Sequence, residues 1–116
     1  MTVISLQADS AAGNPTEVER LYRAWRYAKA QWDLADNDPA NPEGLTQEET
    51  DAFCNVEHSA LIAFFLEPAS TRADLARKMR TLNEVQGWEF TDCSAIMKRM
   101  QRDVHAFAFG FDPGED

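Results

Sequence analysis

Glu57 is the residue of this sequence whose type and position most invite chemistry. Counted from Phe53, Ala60, Leu61 and Phe64, it falls in the middle of the apolar face of a helix, where a carboxylate is costly unless paired. It is either one half of an ion pair with a base on a neighbouring helix, Lys29 or Arg26 being the candidate donors, or a carboxylate tuned for general-base or metal-ligand work. No second acid stands with it to divide acid and base roles, so the ion pair is the reading adopted. Cys54 and His58 are four residues apart on one helical face, a spacing that suits a transition metal. Two ligands do not close a tetrahedral site. Cys93 could join them, but His105 lies about three turns further along on a different face. Asp33, Asp36, Asp38 and Glu43 surround a turn as calcium ligands do, yet Ala40 stands where a third oxygen ligand is wanted and the turn glycine is absent. A solvated acidic loop is expected there.

Nucleophilic catalysis finds little material. There are two histidines and five glycines, no Ser–His or Cys–His pair with an orienting acid, and no glycine-rich phosphate loop. The expectation is a protein that is not an enzyme, with no catalytic residue, metal or cofactor. Tyr22, Trp25 and Trp32, interleaved with Arg23, Arg26 and Lys29, form a pattern that can stack single-stranded nucleic acid. The two tryptophans, however, share a helical stripe with Leu21 and Ala28, which reads as core, and a net charge of −9 opposes a polyanion.

The distribution of that charge says more than its sum. From residue 30 to residue 71 there is no Lys or Arg, while Asp33, Asp36, Asp38, Glu43, Glu48, Glu49, Asp51, Glu57 and Glu67 all lie there. The bases flank the stretch: Arg20, Arg23, Arg26 and Lys29 before it, Arg72, Arg77, Lys78 and Arg80 after it. An acidic helix packed between basic neighbours accounts for this; a face offered to a basic protein partner is the alternative.

These residues need helices to position them. The chain has 116 residues, enough for one domain with one modest core. Its 44% hydrophobic and 27% charged content is that of a folded globular chain. No apolar run approaches the ~18 residues of a membrane span. The start, MTVISLQADSAAGNP, has no basic residue and fits no secretory signal. A cytoplasmic location with two reduced thiols, and no Cys54–Cys93 disulfide, is expected.

The organising stretch is Thr46 to Pro68. Thr46 and Glu49 form a capping box, Pro68 stops the helix, and the ALIAFFL end is apolar all the way round. Its cover must come from every side, and the seam through Ile62 and Leu66 has to be covered by another part of the chain or by a second copy. Before it, Thr16 and Glu19 open a helix carrying Leu21, Trp25, Ala28, Trp32 and Ala35, and DNDPANPEG connects the two. After it, Thr71 caps a helix with Asp74 at the capping-box position and Leu75, Met79, Leu82 and Val85 as its buried stripe, ending near Gly87. The last helix is expected from about Glu89 to Ala108, with Cys93, Ile96, Met97, Met100, Val104 and Phe107 on its inner side.

EPASTRADLARKMRTL followed by SAIMKRMQRDVHAF resembles small helical proteins of bacteria that often sit near mobile elements, proteins with no assigned catalytic residues. The likeness covers roughly residues 16–107 and implies a fold and no activity. Arg72 and the Trp88–Phe90 pair depart from it.

The expected fold is all-α: a long antiparallel helical hairpin, 16–36 and 46–67, closed by two further helices, 71–86 and 89–108, into a four-helix, bundle-like domain over 16–109. An arm precedes it at 1–15 and an acidic tail follows at 110–116. The expected function is a non-enzymatic protein–protein interaction or self-associating module, a homodimer with either Ile62 and Leu66 or the Phe109/Phe111 tail at the two-fold contact. The alternative is a DNA-binding or regulatory accessory protein with a helix-turn-helix-like region at 70–107. Against that, the turn would need about ten residues, where such motifs use three or four.

Overall fold

The computed structural model describes residues 14–110. Within them the chain is all-helical: α1 (Glu17–Asp36), α2 (Gln47–Leu66), α3 (Arg72–Val85), a 3-10 turn (Gly87–Glu89) and α4 (Cys93–Phe109). Residues 1–13 and 111–116, nearly all of the expected arm and acidic tail and Phe111 with them, lie outside the described residues. None of the helices is long and apolar enough to cross a membrane.

Each of the first three helices starts at a threonine, and each threonine hydroxyl accepts from the amide three residues on: Thr16 from Glu19, Thr46 from Glu49, Thr71 from Asp74. At Thr46 the Glu49 carboxylate also returns to the Thr46 amide at 2.9 Å, completing the reciprocal pair. The connector after α1 is held by its own asparagine, whose side-chain amide donates to the Gly44 carbonyl at 2.8 Å from Asn41. With so short a link α1 and α2 fold back as the long hairpin, and α4 packs on α2.

The core consists of Val18 and Trp25 from α1, Leu61, Phe64 and Phe65 from α2, and Ile96 and Met100 from α4. Tyr22 sits in tilted contact with Trp25 and Phe64, with ring centroids 5.8 and 5.5 Å apart, and the Arg77 guanidinium lies 4.2 Å over its ring. The apolar end of α2 thus meets helices on one broad side: Leu61, Phe64 and Phe65 are buried and Ile62 packs against the core, whereas Ala63 and Leu66 remain exposed. From Arg26 to Ala60, by contrast, no residue is fully buried. The outer part of the hairpin has only its own two helices to lean on.

Two features of the second half differ from the sequence expectation. The buried positions of α3 are Asp74, Lys78 and Thr81, not an apolar stripe; Leu75, Leu82 and Val85 are half-buried and Met79 is 55% exposed. Likewise α4 turns Ile96, Arg99, Met100 and Asp103 inward and leaves Met97 and Val104 outside. The rotation lets the charged side chains of α3 and α4 meet. The second difference is the start of α4 at Cys93 instead of Glu89. Gln86 takes the left-handed conformation (φ 55°, ψ 49°) that ends α3. Gly87 is glycine for a different reason, since a Cβ there would lie 2.4 Å from Leu82 Cδ1. The following 3-10 turn and the extended Phe90 carry that ring back toward the core before α4 can begin.

Candidate functional site

Three segments converge on one ammonium group. The Lys78 Nζ donates to the Asp103 Oδ2 at 2.7 Å and to the Glu67 carbonyl at the C-terminal end of α2. Lys78 is 0% and Asp103 1% exposed. The other Asp103 oxygen accepts from Arg99 Nε and from the Ala69 amide, each at 3.1 Å. One carboxylate therefore receives two cations and a backbone donor, which meets the requirement that a buried charge be paired and hydrogen-bonded. Burial holds the Lys78 pKa below its ordinary value, against the opposing pull of Asp103. A second acid of the same helix pair works alongside: Asp74 accepts from the Ser70 amide at 2.9 Å and from the Thr16 hydroxyl at 2.7 Å.

In sequence these residues look like members of a charged helix face. Lys78 and Asp103 are 25 residues apart and nothing local links them. The available signal was helical phase: Asp74, Lys78 and Thr81 repeat at the same three- and four-residue steps as the apolar set beside them.

This polar cluster is sealed, and what it holds in place is an apolar surface. Between α3 and α4 runs an open groove of about 410 Å³, lined by Met79, Leu82, Trp88, Met97 and Val104, with Asn83 and Gln101 as its amides. Trp88 is 49% and Val104 50% exposed. A second open groove of about 430 Å³ lies along the outer hairpin between α1 and α2, lined by Ala24, Tyr27, Ala28, Phe53, Val56 and their neighbours. Both surfaces are of the kind that interfaces cover.

The expected site residues fall as follows. Glu57 is half-buried and accepts from the Trp25 indole Nε1–H instead of from a base. The expected ion pair with Lys29 or Arg26 is corrected accordingly: Arg26 reaches Glu84 of α3 at 3.7 Å and its guanidinium lies 5.6 Å from the centre of the Trp25 ring, while Lys29 is exposed. The indole suits the place better, because its ring completes the core while its N–H meets the carboxylate without burying a second charge. His58 turns to Asp92, at 3.5 Å, and to the edge of Phe90. Cys54 and Cys93 are both free thiols. Among the described residues no group of three or more His, Cys, Asp or Glu side chains is gathered as a metal ion would require. Of the expected contact residues, Ile62 belongs to the molecule's own core cover, Leu66 and Phe109 are exposed, and Phe109 rests against the His105 ring at 4.6 Å.

No protein-family model matches the chain, and neither a curated protein nor a solved structure is significantly similar to it.

Proposed function

We propose that this chain is a non-enzymatic interaction protein that associates with itself through its uncovered helical surfaces. One observation carries the reading: Met79, Trp88, Met97 and Val104 stand exposed around one groove while Asp74, Lys78, Arg99 and Asp103 of the same two helices are buried. A chain that buries a lysine, an arginine and two aspartates, yet leaves a tryptophan and two methionines outside, has its apolar side chains turned toward a partner. Methionine and tryptophan are the residue types such surfaces favour, being large and adaptable. The sealing of Lys78 and Asp103 supports a structural role for them, since no substrate reaches a group with no accessible surface.

The alternative, a DNA-binding or regulatory accessory protein built on residues 70–107, has less in its favour. Three of the bases in that region are already engaged: Lys78 and Arg99 with Asp103, and Arg77 with Tyr22. The connector Gln86–Asp92 contains a 3-10 turn of its own and is longer than a helix-turn-helix junction. Sedimentation equilibrium over a wide concentration range tests the proposal. A mass that rises with concentration is expected, and a monomer at every concentration refutes it. Fluorescence anisotropy with random duplex, showing a salt-dependent affinity, would favour the alternative.

A further inference from the structure

We infer that α3 is a releasable strap, which melts off as one unit while α1, α2 and α4 keep their shared core. Among the described residues the buried hydrophobic side chains come from α1, α2 and α4, and none from α3. What α3 sends inside is Asp74, Lys78 and Thr81. The difference decides how easily each helix leaves. A buried apolar side chain that is pulled out loses its whole hydrophobic stabilisation to water. When Lys78 and Asp103 part, water solvates both charges and offsets much of the attraction they lose, so an intact buried pair adds little net stability. The latch fixes where α3 sits without holding it firmly.

Toward α1, Asp74 meets the Thr16 hydroxyl, the Arg77 guanidinium meets the Tyr22 ring, and Glu84 meets Arg26 at 3.7 Å. The last pair is half-exposed, and such pairs contribute little. Leu75, Leu82 and Val85 are only half-buried, the last two at the edge of the core. Both ends of α3 permit its release. The connector after α2 begins with Glu67 and Pro68, and at the other end Gln86 interrupts the helix with its left-handed backbone. Beyond that break Phe90 stays packed on the core and against the His58 ring, with centroids 5.3 Å apart, so the opening stops there. With 14 residues, a detached α3 is too short to stay helical in water. The strap also carries Met79, Leu82 and Asn83, one wall of the groove between α3 and α4. That groove therefore exists only while the strap is down, and the Lys78–Asp103 latch governs it. None of this requires the chain to self-associate.

Native-state hydrogen exchange on the wild-type chain in dilute solution, read by mass spectrometry, tests the release. Relative to their intrinsic rates, amides 76–85 are expected to exchange at least about tenfold faster than the core segments 18–25, 61–65 and 96–100, and together. Low urea should speed the core segments but hardly α3, since releasing the strap exposes little surface. Trypsin gives an independent reading, because Lys and Arg stand both in α3 and in the core segments of α1 and α4. Cleavage after Lys78, which has no exposed surface while the strap is down, is expected before cleavage after Arg20, Arg23, Lys98 or Arg99. If α3 exchanges in step with the core segments and with the same urea dependence, it leaves only on global unfolding and the strap is overturned. Exchange that is fast at residue 76 and falls to core rates before Lys78 is fraying from one end, and overturns it too. A Lys78 site cut no sooner than those in α1 and α4 does the same.

Discussion

The Thr16 hydroxyl accepts from the Glu19 amide at the start of α1 and donates to Asp74 Oδ1, 58 residues away, at the start of α3. A single oxygen therefore caps one helix and fastens it to the N-terminal end of another. Removing it in Thr16→Ala is expected to lower stability by about 1–2 kcal/mol, a lost cap together with a lost hydrogen bond to a charged group. Thr16→Ser should keep nearly all of it. Urea unfolding of Thr16→Ala, Asp74→Ala and the double variant gives the coupling directly, and strictly additive effects would refute the link.

Asp103 and Lys78 are expected to differ in how much their loss matters. Asp103→Ala leaves two cations, Lys78 and Arg99, facing each other without their counter-charge, and an uncompensated buried charge costs about 3–5 kcal/mol. Lys78→Met removes one of two cations and leaves Asp103 with Arg99 and the Ala69 amide, so its effect should be clearly smaller. Equal midpoints in urea for the two variants would contradict the cluster as described.

The buried ammonium also sets a sign for alkaline pH. Burial lowers the Lys78 pKa in the folded chain below the ordinary 10.5 of the unfolded one. Between those two values the unfolded state binds more protons, so the contribution of Lys78 to stability rises with pH across that window. Its unfavourable part is fully present below the folded pKa and gone above 10.5. Wild-type stability should therefore increase relative to Lys78→Met as pH climbs toward 10.5. Paired urea titrations over that range check the direction, and a difference that shrinks with pH would reverse it.

Neighbouring residues at the end of α3 should respond oppositely to small substitutions. Gly87→Ala places a Cβ against Leu82 Cδ1, the tip of a half-buried side chain that can turn aside, and is expected to destabilise by no more than about 1 kcal/mol, the low end of an overpacked position. Gln86→Gly relieves a side chain held in the left-handed region and should stabilise by about 1 kcal/mol. Thermal melts of the two variants suffice, and a loss of stability in Gln86→Gly would show that the Gln86 side chain contributes more than its backbone strain takes away.

The helices and their starts were legible because their signals are local. Thr16, Thr46 and Thr71 each announce a cap three residues ahead, and the predicted boundaries of the first three helices lie within one residue of those found. The phase of α3 was not legible. Leu75, Met79, Leu82 and Val85 make as good a stripe as any, and only the distant Asp103 explains why Lys78 points inward instead. The partner of Glu57 was missed for a related reason. A carboxylate on an apolar face suggests a base, and Trp25 had already been assigned to the core for its ring, although its N–H was free to do a second job. The groove between α3 and α4 follows from that same phase: once the charges take the inside, Met79, Met97 and Val104 have only the outside left.

The junction at Lys78 bears on how the protein is made. On a chain emerging from the ribosome, α1 and α2 have their mutual contacts as soon as residue 66 is out, and Lys78 follows a short way behind with the Glu67 carbonyl for company. Asp103 arrives much later. Until it does, burial of the amine is opposed by its charge, so α3 has reason to stay loosely attached while synthesis continues. Nascent chains arrested before residue 103 should therefore hold a protease-resistant hairpin joined to a digestible remainder, and the second half of the domain should set in a single late step.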